Sequence, residues 1–546
     1  MVKATSHYFA YDIHLNDSME LVDNIVCSFS ASLAIFANFE PKAFLRSVNI
    51  RNIKRHLVNS RNHQISILAI ALVTLLPALS FGQPQTPSIH QLEHLRYQDQ
   101  EFDQEVPGLP RAQVPLAPRD TIRKEVFGFH PYWMGIAWED YQFSLLTTIA
   151  YFGVEVSATG DITNYRGWPV QTLIARAHTE GVRVVLTAIL FDSDAIRTLL
   201  GSGANRSNLI ENLLTAVQNA AADGVNIDFE GVPGSQRQNL TTFMQELTAT
   251  FHDQLPGSHV SIDVPAVDWG DAFDEEQLAR TADALFIMGY DYHWKNSKTT
   301  GPVSPLTGWN GLNLTSTVNV YLKNTNSNRK KLILGLPYYG YKWLATGSNA
   351  GASIATYDTS LTYAAAEPEA LAFGKLRDVS GGEIPWYRYS SGESWYQTWY
   401  DDSLSLSLKY EYANQAGLRG VGIWALGYDG DRPELWGALA NYLEKEIPEI
   451  DTTSGLQLAA FPNPFHGSVS IRYTVPENYN SQISLAVYDL QGRRMASYFD
   501  DQWVLASGTV RWDGRNEAGR QVASGIYLVV GRDYFRTQTV KITYLP

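Results

Sequence analysis

Between residues 122 and 447 the chain alternates short apolar runs with longer amphipathic ones, eight times over. The short runs are EVFGFH (125–130), TTIAYF (147–152), VRVVLTAIL (182–190), GVNIDFE (224–230), HVSIDVPA (259–266), ALFIMGYD (284–291), KLILGLPYYG (331–340) and GVGIWALG (420–427). Runs of this length and β-branched content read as buried strands, and stretches such as NLIENLLTAVQNAAA (208–222) between them read as helices. Eight β-then-α units in succession predict an α/β chain closed into a parallel (β/α)8, or TIM, barrel. A doubly wound open sheet is the alternative, but no Gly-rich phosphate loop follows the first run. One connection, between the seventh and eighth runs, is long and rich in Trp, Tyr and Ser. It predicts a small insertion at about 343–405, a wall beside the barrel's cleft.

The fourth run carries the chemistry. Along a strand, side chains alternate between two faces. Asn226, Asp228 and Glu230 therefore share one face, and Val225, Ile227 and Phe229 the other. Two carboxylates side by side in a buried strand are costly unless hydrogen-bonded or used. In a parallel barrel, reactive side chains sit at the C-terminal ends of strands. That position brings Asp228 and Glu230 to the mouth, with Tyr290 and Asp291 at the end of the sixth run and Trp424 on the eighth. Two crowded carboxyls cannot both ionise freely, so one pKa rises, as a general acid working near neutrality requires. Asp228 and Glu230 could instead form a structural ion network, and Trp424 alone could be plain core. The stretch FDSD (191–194) reads as a helix N-cap, and His130, His259 and His293 lack ligand spacing and read as structural.

DGVNIDFE (223–230) resembles the D-x-x-D-x-D-x-E signature of glycoside hydrolase family 18, the chitinase family. MGYD (288–291), GLPYYG (335–340) and GVGIWALG (420–427) resemble that family's further patterns, in the right order. The resemblance implies a retaining hydrolase of β-1,4-linked N-acetylglucosamine polymers, chitin or chitooligosaccharides, needing no metal and no organic cofactor. Glu230 would protonate the leaving oxygen, and the substrate's own N-acetyl carbonyl would attack the anomeric carbon. Asp228 would orient the acetamido nitrogen, Tyr290 would bond the acetamido oxygen, and Asp291 would support the site. Trp424 would lie under the reacting sugar, with Met288, Asn226, Phe152 and Tyr132 as further substrate contacts. The second acidic position of the signature is Asn226 here, which can hydrogen-bond Asp228 but cannot share a proton with it. The departure, NIDFE, is similar to the family's peptidoglycan-directed bacterial branch. Peptidoglycan or N-glycan cleavage is therefore the alternative substrate reading, and a non-catalytic chitin-binding protein the alternative class.

The flanks add an address. Residues 42–61 hold six basic and no acidic residues, and ISILAIALVTLLPALSFG (65–82) follows. That is the layout of a secretory signal, at 57–82, preceded by a 1–56 extension read as a misassigned start; a genuine extension with a single-pass anchor is the alternative. Residues 83–121, rich in Pro and Gln, read as a linker. After a second linker at 448–456, residues 457–546 alternate apolar and polar residues between turn signals, predicting an all-β sandwich. FPNPF (461–465), YDLQGR (488–493) and RWDGRNEAGRQVASGIY (511–527) resemble the C-terminal sorting domain of the type IX secretion system, with an FlgD-like, immunoglobulin-like fold. The expectation is a monomer, secreted or on the cell surface, whose partners are a polysaccharide and the secretion machinery; a carbohydrate-binding module is the rival reading of the sandwich. A net charge of −14 argues against nucleic acid as a partner. One cysteine, Cys27, permits no disulfide framework.

Overall fold

The computed structural model describes residues 87–106, 114–117, 124–444, 456–475, 481–504, 508–533 and 537–545. The expected extension (1–56), the expected signal (57–82) and nearly all of the second linker (448–456) lie outside them. Eight parallel strands follow in order: β1 (Glu125–Pro131), β2 (Thr148–Val156), β3 (Arg183–Leu190), β4 (Gly224–Phe229), β5 (His259–Pro265), β6 (Ala284–Met288), β7 (Leu332–Pro337) and β8 (Gly420–Trp424). Each pairs with the next, and β1 pairs with both β2 and β8, so the sheet closes into the TIM barrel. Helices follow the strands on the outside, for example Gly203–Ala220 before β4 and Arg237–Gln254 after it. After β1 the chain instead takes a 3-10 path, Tyr132–Asp140, kinked at Gly135 with φ 54°. A side chain there would also meet the Asp103 carbonyl, 2.8 Å from a Cβ.

Aromatic rings fill the barrel. Phe286 of β6 lies 4.9 Å from Phe129 and 5.4 Å from Phe127, centroid to centroid, both on β1. Space for it comes from Gly335 on β7 and Gly422 on β8, whose absent Cβ atoms would fall 2.4 and 2.0 Å from its ring. At the N-terminal end, Glu125 pairs with Arg183 and Arg419. There too Asp223, first residue of the signature, accepts the Val184 N–H at 2.7 Å and bonds His178 at 2.8 Å. It secures the strand start, far along β4 from the mouth.

The long connection between β7 and β8 is a five-stranded antiparallel sheet, in the order Ile354–Thr362, Tyr339–Ala345, Ser394–Trp399, Ile384–Ser391 and Leu376–Asp378. It begins a few residues before the expected 343, because the chain enters its first strand one residue after β7 ends. Residues 456–545 form two antiparallel sheets, of three and four strands, around Val469, Leu485, Trp512, Val529 and Ile542. No helix occurs among their described residues, as the alternating pattern predicted.

The 83–121 stretch departs from its expected linker character. It carries a helix, α1 (Ile89–Tyr97), capped by Ser88 accepting the Gln91 N–H at 3.1 Å. A nine-residue helix is marginal in water on its own. Tertiary contact holds this one, since Ile89, His90, Glu93 and His94 are buried.

Candidate active site

The period of two along β4 sorts its side chains as the sequence requires. Phe229 faces outward and stacks on Phe243 of the following helix at 5.8 Å. Asn226 and Asp228 are fully buried on the opposite face, and the Glu230 side chain keeps 15% exposure at the mouth. Burial and the charge of Asp228 push the Glu230 carboxyl above its ordinary range, against the lowering effect of His90 beside it. That is the state of a group able to deliver a proton.

The structure gathers Glu230, Asp228, Tyr290, Trp424 and Phe152 around one point. Trp424 is fully buried, edge-on to Phe152 at 4.8 Å and 5.3 Å from Phe129. Asp291, with φ 61°, turns to the inserted sheet and accepts hydrogen bonds from Tyr339 and Tyr341, the latter at 3.0 Å. Burial raises its pKa to about 6 despite these donors. The insertion is thus the expected wall, fastened to the site through Asp291. Met288 ends β6 half-buried against the core. Tyr132 is buried to one side, its ring 4.9 Å from the Arg166 guanidinium and its hydroxyl 3.4 Å from His94 Nδ1.

Asn226 corrects the sequence reading. Its amide does not reach for Asp228. It donates to Asp263 Oδ2 at 3.0 Å and accepts from the Ser261 hydroxyl at 2.7 Å, both on β5. It is a buried bracket between strands β4 and β5. Asp263, which sequence reasoning passed over, is the second carboxyl beside Asp228. Burial first, then the charge of Asp228, lift its pKa well above the ordinary value. Asp228 Oδ1 and Asp263 Oδ1 are both buried without a hydrogen-bond partner, which a proton on Asp263 would relieve.

His90, equally unforeseen, stands at the centre. Its Nδ1 lies 2.9 Å from Asp228 Oδ2 and 3.2 Å from Glu230 Oε1, its Nε2 lies 2.8 Å from the Tyr290 hydroxyl, and its ring stacks on Trp424 at 3.6 Å. Burial would lower its pKa, but Asp228 and Glu230 outweigh that and raise it to about 10. His90, Asp228 and Asp263 each bring one ligand atom within 4.8 Å of the others, the one such trio among the described residues. The 2.9 Å gap between the first two is hydrogen-bond distance, filled by the Nδ1 proton. A local signal did exist: Ser88 and Gln91 have capping-box spacing, and His90, Glu93 and His94 fall on one helical face.

Comparison with known proteins gives the family. The family model Glycosyl hydrolases family 18 matches residues 131–429, more than half of the chain. The chain belongs to this family. As a family 18 glycosidase it is 28% identical to human di-N-acetylchitobiase over 351 residues, covering 57% of this chain and 80% of that protein. It is 26% identical to mouse chitotriosidase-1 over 271 residues, covering 44% of this chain and 56% of that protein. In fold it is similar to the Group IV chitinase of Ostrinia furnacalis, with a TM-score of 0.53 at 18% identity over 59% of this chain and all of the other.

Proposed function

We propose that this family 18 glycosidase is a retaining hydrolase of β-1,4-linked N-acetylglucosamine polymers, chitin or its oligomers, acting by substrate-assisted catalysis. The reading is carried by one observation: Glu230 and Asp228 emerge from one face of β4 above a buried Trp424, with the Tyr290 hydroxyl opposite them. Glu230 protonates the glycosidic oxygen. The substrate's acetamido oxygen then attacks the anomeric carbon and closes a five-membered oxazolinium ring. Asp228 holds the N–H of that ring and offsets its positive charge, Tyr290 holds its oxygen, and Trp424 is the floor. Glu230, now a carboxylate, takes a proton from the water that reopens the ring, so configuration is retained. Asp263 keeps the neighbouring proton.

The test is product analysis on N-acetylglucosamine oligomers and on peptidoglycan, beside Glu230→Gln. Loss of a positioned general acid costs about 10²- to 10⁴-fold, so the variant should fall by at least that lower factor. Cleavage of peptidoglycan alone would move the substrate assignment, and turnover unaffected by the substitution would remove the mechanism.

For the sandwich we propose a role in export by type IX secretion, supported by its FPNPF and GIY turn-and-strand motifs and its helix-free, two-sheet build. Deleting residues 456–546 should leave the enzyme inside the cell. Normal export with weakened polymer binding would make it a carbohydrate-binding module instead.

A further inference from the structure

Every group given to the substrate in the reading above is already engaged by the chain itself. The His90 ring covers the face of Trp424 and bonds Asp228 and Tyr290. Its Nδ1 also stands 3.2 Å from Glu230 Oε1, and the Ile89 N–H donates to Asp291 Oδ2 at 3.1 Å. One turn further, Glu93 accepts the Trp424 indole N–H at 3.3 Å and the Tyr428 hydroxyl at 2.5 Å. Beyond the helix the segment stays clasped to the mouth. Tyr97 stacks on Trp133 at 5.5 Å, Arg166 donates to the Gln98 carbonyl at 2.5 Å, and Gln104 donates to the Tyr132 carbonyl at 2.6 Å. Glu105 then accepts the first N–H groups of the helix Gln171–Thr179, from Gln171 at 2.8 Å and Thr172 at 3.3 Å. Sugar cannot lie on Trp424 while this segment is in place.

The manner of occupation is informative. An imidazole is a planar five-membered ring with two heteroatoms in a 1,3 relation. Its Nδ1–H points at Asp228, where the oxazolinium N–H would point. Its other heteroatom faces Tyr290, where the oxazolinium oxygen would lie. Positive charge on the ring falls between Asp228 and Glu230, where the intermediate carries its own.

We propose that residues 88–106 are a built-in inhibitor of the glycosidase site, in which His90 takes the place of the substrate's cyclised acetamido group and keeps the chain latent until the segment is displaced. The proposal rests on the glycosidase reading and adds to it an internal ligand and a step of activation. Cutting the chain after α1 is the direct way to release it, because residues 99–101 are exposed there.

The test uses the full chain with a specific protease recognition sequence inserted at Asp99–Glu101, measured before and after cutting, together with His90→Asp in the uncut chain. The substitution puts a third carboxylate against Asp228 and Glu230 and should expel the helix without proteolysis. Loss of residues 88–98 from the cut protein is followed by mass spectrometry. Binding of the N-acetylglucosamine tetramer is read by calorimetry, and turnover by product analysis. Cut protein and His90→Asp should bind and cleave the tetramer at least about 100-fold better than the uncut wild-type chain. Equal binding and turnover before and after cutting would overturn the latency and leave the glycosidase standing. Cut protein that has shed the segment, yet neither binds nor cleaves any N-acetylglucosamine polymer, would overturn the glycosidase reading and its inhibitor together.

Discussion

The proton on Asp263 can be counted without any substrate. Asp263 is wholly buried and its pKa lies well above the ordinary 3.8, whereas in the unfolded chain it returns to that value. Above pH 3.8 the folded protein therefore holds one proton that the unfolded protein releases. A group of this kind makes stability fall as pH rises from its unfolded toward its folded pKa, by about 1.36 kcal/mol per pH unit for one proton. The electrostatic origin is large enough: two unit charges 4.8 Å apart repel by about 3.5 kcal/mol at an effective dielectric near 20, and 4.8 Å bounds the spacing of the two carboxyls. Asp263→Asn keeps the shape and the contact to Asn226 but removes the titration. Relative to wild type, the variant should gain unfolding free energy as pH rises from 5 to 7, at up to about 1.36 kcal/mol per pH unit for as long as Asp263 holds its proton, whatever its offset at either pH. Guanidinium unfolding of both proteins at pH 5, 6 and 7, followed by tryptophan fluorescence, measures this slope. Parallel curves would mean that Asp263 is ionised in the folded protein, and that Asp228 shares its site with a second full charge.

Two further expectations concern the core and the latent state. Gly422→Ala pushes a methyl into the Phe286 ring, and overpacking of this kind costs about 1–3 kcal/mol; thermal unfolding should show the loss, and Phe286→Leu in the same chain should recover part of it, while an unchanged midpoint would contradict the packing described. Docking of α1 should weaken with rising pH, because two of its three buried titratable groups bind protons more tightly when docked, Glu93 reaching about 7 and His90 about 10, while His94, lowered by burial, opposes them only below its ordinary range. Facing His90 are Asp228 and Glu230 from β4, Asp263 from β5, Tyr290 and Asp291 beyond β6, and Glu93 on its own helix. Its contribution is complete below about 6.5 and disappears as pH passes 10, so tetramer binding to the uncut chain should tighten from pH 5 to pH 9 more than binding to the cut chain; identical pH dependence in both would contradict the docking energetics.

The barrel and the placement of Glu230 were legible because they are written at short range. Strand alternation assigns Asn226, Asp228 and Glu230 to one face, and eight repeats of strand and helix leave closure as the compact solution. Trp424, Tyr290 and Phe152 could be placed for the same reason, each standing at or just beyond a strand's C-terminal end. The partner of Asp228 was not legible, since Asn226 and Asp263 are joined across strands and 37 positions apart.

The helix before the barrel shows the boundary most clearly. From the sequence residues 83–121 read as a linker, although Ser88 and Gln91 have capping-box spacing and His90, Glu93 and His94 would share one face of a helix there. Whether that helix forms, and what its face meets, depends on contacts such as His90 to Asp228, 138 positions away. A short helix has too little internal stability to exist without such contacts. Tertiary structure alone therefore decided that the mouth of this barrel is occupied by its own chain.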